Sequence, residues 1–184
     1  MACRPVENTS EKYYNLDSLF QSQTQLLIVS KASLTKTAVL GEKKETKKSS
    51  PDSLGWIDEF GTLSELALIN KPTYRGLYLI NDAQDSKSNL RVLSYSLKNE
   101  NEYKEKIPVR NVKIYYLGSL DRIRRIEGLY NEENELYHGS HNFSIELQDV
   151  YNKNMITSYS ITGDQKMILA DSVAFSIQGR VGFN

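Results

Sequence analysis

The chain is poor in the residues from which most catalytic and metal sites are built. It has one cysteine, Cys3, and two histidines in 184 residues. A single cysteine excludes an internal disulfide and any cysteine-based zinc cluster, and it fits a reducing compartment. Apolar runs are short. Leu26-Leu27-Ile28-Val29 is typical of the longest, against the roughly 20 residues that span a bilayer. Met1-Ala2-Cys3-Arg4-Pro5 lacks the apolar stretch of a secretory signal. Net charge is missing as well: 23 basic and 23 acidic residues cancel, so contact with nucleic acid must use a local patch. There is no Gly-rich phosphate cradle, nucleophile elbow or carboxylate cluster. The pattern argues against an enzyme and implies no cofactor.

What is present favours strands. Twelve tyrosines accompany many Asn, Ser and Ile, a mixture that suits β-structure with polar loops. The length suits one domain with its own core. Residues 1–22 read as a polar N-terminal segment in which Tyr13, Tyr14, Leu16, Leu19 and Phe20 could form a short docking helix. Residues 23–184 read as a single β-rich domain. Within it, Gln25–Leu40 predicts one or two strands anchored by Leu26, Ile28, Val39 and Leu40. Residues 41–52 (GEKKETKKSSPD) predict a basic surface loop carrying Lys43, Lys44, Lys47 and Lys48. Ser53–Asn70 is the one long helical pattern, with Leu54, Ile57, Phe60, Leu63 and Leu66 at helical spacing and Pro72 ending it. Gly55 and Gly61 weaken that helix by about 1 kcal/mol each. Trp56 belongs to its core face.

After Pro72 the period is two. Gly76–Asn81, Arg91–Lys98 (Leu93, Tyr95, Leu97) and Val112–Tyr116 alternate in turn, the last starting after Pro108. Phe143, Ile145 and Leu147 face one way, and Val173, Phe175, Ile177, Val181 and Phe183 fill alternate positions at the C-terminus. The fold class expected is all-β and mostly antiparallel, a sandwich or barrel with one or two short helices. Pairing across long sequence separations would make it fold slowly.

Three features carry candidate chemistry. His138 and His141 fall in a segment that reads as a polar turn, with no further ligand type nearby, so no metal site is expected. Lys43, Lys44, Lys47 and Lys48 form one basic group: a solvated loop or a phosphate contact. Arg122, Arg124 and Arg125 form the other, beside Tyr115, Tyr116 and Tyr130. They either grip phosphates next to stacking rings, or form a charged turn paired with Asp121, Glu127 and neighbouring acids. Asp121 directly follows the apolar strand, which predicts partial burial and a basic partner such as Arg122 or Arg124.

The order of these segments resembles the thirty-kilodalton superfamily of plant-virus cell-to-cell movement proteins. Val112-Lys113-Ile114-Tyr115-Tyr116-Leu117 leads to Leu120-Asp121-Arg122-Ile123, similar to the family's strand ending in Leu-x-Asp-x-Arg. Leu27-Ile28-Val29-Ser30-Lys31, Leu63-Ser64-Glu65-Leu66 and Phe143-Ser144-Ile145-Glu146-Leu147 resemble further segments, and Phe175–Phe183 resembles the closing strand. Together they cover most of residues 16–183. Two departures stand out: Gly118-Ser119 intervenes before Leu120, and Arg122 follows the aspartate with no spacer. Its compactness suits the movement proteins of plant negative-strand RNA viruses, rhabdoviruses among them. The resemblance implies a jelly-roll-like fold and no enzyme activity. It implies sequence-independent binding of single-stranded nucleic acid or viral nucleocapsid, and targeting to plasmodesmata and the cell periphery. Host plasmodesmal proteins and further copies of the chain would be partners, with peripheral membrane contact. Leu120 and Asp121 would hold the fold and the basic residues would touch the backbone of the cargo. A rhabdovirus-type matrix protein is the rival, with a similar length and a YxxL segment at Tyr13-Tyr14-Asn15-Leu16.

Overall fold

A computed structural model describes residues 13–103, 106–133, 137–167 and 171–183. Cys3 and the first twelve residues of the expected N-terminal segment lie outside them. The described residues form nine strands: β1 Ser33–Leu40, β2 Lys43–Ser49, β3 Tyr78–Gln84, β4 Arg91–Leu97, β5 Val109–Tyr116, β6 Ile123–Glu133, β7 Tyr137–Val150, β8 Lys153–Met167 and β9 Val173–Gly182, and the five period-two stretches fall on β3, β4, β5, β7 and β9. They make one sheet in the order β2-β1-β9-β8-β7-β6-β5-β4-β3, and every neighbouring pair is antiparallel.

The mostly antiparallel, all-β class with few helices therefore holds. Its detail differs from a jelly roll or a two-sheet sandwich. From β3 to β9 each strand lies beside its sequence neighbour, an up-and-down meander, and only the β1–β2 hairpin attaches at a distance, through β9. Between β7 and β8 a short turn dictates this. Tyr151 and Asn152, both at positive φ, close β7 onto β8, and a two-residue turn has no reach to cross a neighbouring strand. Most pairing is thus local, so slow folding is expected only of the β1–β9 step.

Three α-helices and two 3-10 turns add to the sheet: α1 Leu16–Val29, α2 Ser53–Gly61, a 3-10 helix over Leu63–Asn70, another over Pro72–Tyr74, and α3 Glu100–Tyr103. Leu26–Val29 is helical, not the strand expected. Asn15 starts α1 by accepting from the Ser18 N–H at 2.9 Å, and Leu16, Phe20, Gln23, Thr24 and Leu27 form a buried stripe at helical spacing. The helix runs across residue 22, so the division drawn there falls inside α1. The Ser53–Asn70 pattern is helical throughout but changes type after Gly61. Asp52 caps α2 through the Gly55 N–H at 2.8 Å, and Trp56 is fully buried.

Among the described residues, the helices cover one face of the sheet only. Leu93, Tyr95, Val112, Ile114, Ile126, Phe143, Ile145 and Leu147 point to that face and bury against Trp56, Phe60, Leu63 and Leu66. Each such side chain contributes roughly 1.5–3 kcal/mol by leaving water. Gln23 is a polar group that joins the layers. Gln23 on α1 donates from Nε2 to the Asn154 carbonyl at 2.9 Å and accepts the Ile156 N–H at 2.8 Å. It satisfies two backbone groups beside the irregularity where β8 shifts register against β7. No helix among the described residues is long and apolar enough to cross a membrane.

Candidate nucleic-acid interface

The sequence-based candidates separate on the sheet. Lys43–Ser49 is no loop: residues 43–49 pair with β1 as an edge strand after a turn at Gly41, whose φ is 57°. Successive side chains in a strand point to opposite faces, so the four lysines divide two and two. Lys47 lies with Leu34, Lys36, Ala38 and Glu59 around a hollow on the helix side, and Lys43 shares its parity. Lys44 and Lys48 lie on the other face with Thr46, whose hydroxyl meets that of Thr37 at 3.0 Å.

The arginines are also not one patch. Arg124 and Arg125 belong to strand β6, and only Arg122 stays in the turn. Arg124 is bound to Asp149 at 2.6 Å, beside the register shift between β5 and β6. Arg125 lies 3.2 Å from Glu127 and 4.1 Å above the ring of Tyr115, whose hydroxyl donates to Glu127 at 2.8 Å. Pairing with acids is therefore the state of two of the three arginines.

Stacking is closed off as well. Arg125 covers Tyr115. Tyr116 is buried and donates to Asp82 at 2.7 Å, and Tyr130 stacks on His141 at 5.7 Å. Asp121 is exposed in the 117–122 turn rather than partly buried, and its nearest side-chain partner is the Ser119 hydroxyl at 3.5 Å. The turn is closed by backbone bonds, Leu117 N–H to Arg122 O and Arg122 N–H to Ser119 O, each 3.0 Å. Gly118 at a φ of 76° bends the chain here, so the carboxylate projects past the strand end into water. Leu120 packs against the core.

The two histidines lie on strand β7, not in a turn. Three residues apart on a strand, they point to opposite faces and cannot share a metal. His138 is exposed. His141 packs among Tyr130, Phe143 and Phe175, with its Nδ1 4.0 Å from Glu65. Burial lowers the imidazole pKa, opposed by Glu132 and Asp164. Burial, then the neighbouring Glu132, pushes the Glu65 carboxyl up to about 6. Among the described residues, no group of three His, Cys, Asp or Glu is placed to hold a metal ion.

Strand register assembles a different surface, on the face without helices. Partner by partner, one row runs Tyr115, Arg125, Glu146, Ser158, Arg180, Thr35, Lys48 across seven strands. The next runs Lys113, Glu127, Ser144, Ser160, Gln178, Thr37, Thr46, and a third contains Asn142, Thr162, Ser176, Val39 and Lys44. With neighbouring strands about 4.8 Å apart, Arg125 and Arg180 stand about 14 Å apart, and Arg180 and Lys48 about 10 Å. Ser144, Glu146, Ser158, Ser160, Gln178 and Arg180 line a shallow depression in its centre. Arg180 and Lys48 are exposed, and neither has an acidic partner among the described residues. The result is a flat face rich in hydroxyls and amides, crossed by a row in which Arg125, Arg180 and Lys48 alternate with polar residues and Glu146.

Arg180 carried no assignment from the sequence. A lone arginine between Gly179 and Val181 gives no local signal, and only the nonlocal β1–β9 pairing sets it beside Lys48. Gly179 itself is required on the helix side, where a Cβ would enter the ring of Tyr159. Tyr159 is held there by Glu59, which also takes Lys36 at 2.9 Å. Comparison with family models, with curated proteins and with solved structures gives no match to this chain.

Proposed function

We propose that this chain acts by binding rather than catalysis, and that it carries single-stranded nucleic acid or nucleoprotein on the helix-free face of its sheet without reading sequence. The observation that carries this reading is the exposed pair Arg180 and Lys48, in one row with Arg125 and Glu146, on a surface rich in Ser, Thr, Asn and Gln. Ammonium and guanidinium groups bind phosphates irrespective of base, and hydroxyls and amides add contacts to phosphate and sugar oxygens. The rings that would stack bases are engaged elsewhere, so affinity on this face is mainly electrostatic.

Cell-to-cell movement of a plant-virus genome through plasmodesmata is the role the sequence resemblance suggests for such a binder. It rests on that resemblance and not on the topology, which is a meander. The test is a fluorescent fusion expressed in single leaf epidermal cells. Paired puncta across cell walls and spread into neighbouring cells, both weakened by Arg180→Glu, are the expected result. Signal confined to the transfected cell, together with flotation of the purified protein on anionic vesicles, would replace this reading with the matrix-type one.

A further inference from the structure

We propose that β3 is a self-association edge, on which a second copy of this chain adds its own β3 in antiparallel fashion and joins two nine-stranded sheets into one. The strand order leaves two strands with a single neighbour, β2 and β3. Each presents an outer row of peptide groups with no strand partner among the described residues, and such a row templates pairing with another strand unless something blocks it.

The two edges differ in how they are guarded. β2 carries Lys43, Lys44, Lys47 and Lys48, all exposed and distributed over both faces. A second β2 laid antiparallel would bring ammonium groups together on either side, which is destabilising. β3 reads Tyr-Leu-Ile-Asn-Asp-Ala-Gln, with no lysine, arginine, proline or glycine. Its one charge is neutralised within its own copy. Arg91 donates to Asp82 Oδ1 at 3.1 and 2.8 Å, and the Tyr116 hydroxyl donates to Oδ2 at 2.7 Å.

The same contrast selects the partner. Pairing β3 of one copy with β2 of another would set lysines against Leu79 and Ile80, with β3's one carboxylate, Asp82, already engaged. Pairing β3 with β3 opposes no like charges and gains apolar contact. Leu79 is 59% exposed, an aliphatic side chain at the sheet margin. A two-fold axis normal to the sheet at Leu79 sets it against Leu79 of the second copy, and Tyr78 beside the second copy's Ile80 on the other face. This contact is isologous and closed, so it makes a dimer rather than a fibre. The same rotation keeps both helix-free faces on one side of the joined sheet.

Sedimentation velocity of the full chain over a concentration series tests this. The wild type should populate a dimer, and Leu79→Lys should weaken it by at least about tenfold by setting two ammonium groups on the axis. Leu79 is exposed, so far-ultraviolet circular dichroism of that variant should match wild type. In a Cys3→Ser background, Leu79→Cys should form a disulfide-linked dimer on oxidation and Lys44→Cys should not. A wild type that stays monomeric throughout, a Leu79→Lys dimer as tight as wild type, or equal crosslinking at positions 79 and 44 would each overturn the proposal.

Discussion

The face assignment makes a sharp prediction because Lys47 and Lys48 are adjacent in sequence yet on opposite sides of β2. Consider Arg180→Gln with Lys48→Gln, which removes the two cations of the row that have no acidic partner among the described residues. If each neutralises one phosphate of a bound single strand, the slope of log affinity against log salt should flatten by about 1.4, at about 0.7 per contact. Between about 50 and 200 mM salt, a fourfold change, the advantage of wild type over the double variant should then shrink about sevenfold. Fluorescence anisotropy with a labelled oligouridylate of about 20 nucleotides measures this directly. Lys47→Gln is the control. It removes the same charge from the same strand but on the helix side, and its slope should match wild type. If the double variant keeps the wild-type slope, or Lys47→Gln flattens it as much as Lys48→Gln does, the helix-free face is not where nucleic acid lies.

Three further predictions concern the scaffold. Gln23→Ala leaves the Ile156 N–H and the Asn154 carbonyl without their side-chain partner and should cost about 2–4 kcal/mol in urea unfolding; a loss below about 0.5 kcal/mol would show that the bridge does not tie α1 to β8. Gly179→Val places a side chain where the Tyr159 ring lies and should cost about 1–3 kcal/mol. Most of that cost should vanish in a Tyr159→Ala background, and additive losses would refute the steric cause. The Glu65 carboxyl, raised from 4.5 to about 6, holds between those values a proton that the unfolded chain has lost, so its contribution to stability rises as pH falls. His141, lowered from 6.5, acts in the opposite sense and loses stability as pH falls below 6.5. Thermal melts of Glu65→Gln should therefore decline more steeply than wild type from pH 7 toward pH 5, and parallel profiles would refute this pairing of effects.

Much of the fold was legible because strand alternation is local. Leu93, Tyr95 and Leu97, Val112, Ile114 and Tyr116, and Phe143, Ile145 and Leu147 all lie on strands where the pattern set them. The misreadings have specific causes. Leu26–Val29 is a short apolar run, which fits helix or strand equally by composition; the buried stripe beginning at Leu16 decides for helix. Residues 43–49 have no apolar period at all, so nothing local marks a strand, and the ladder supplied by β1 makes it one. β8 passed unmarked although Tyr159 and Ile161 alternate with Ser158, Ser160 and Thr162, a signal that was readable.

The candidate site was legible only in part. Residue types could nominate Arg125 and Lys48, but grouping by sequence proximity joined the wrong neighbours: Arg124 with Arg125, and Lys47 with Lys48. Whether Asp121 is buried, or Tyr115 free to stack, depends on what packs against it and on the bend at Gly118. By itself the sequence determined that this is a mostly-β chain without a cysteine cluster, with no global charge and with alternating strands, since composition and period two are properties of consecutive residues. Only the tertiary structure decided that the strands meander in one sheet, which face stays free of helices, and that Arg180 stands in line with Arg125 and Lys48. Register sums pairings over residues more than a hundred positions apart, and no local pattern contains that sum.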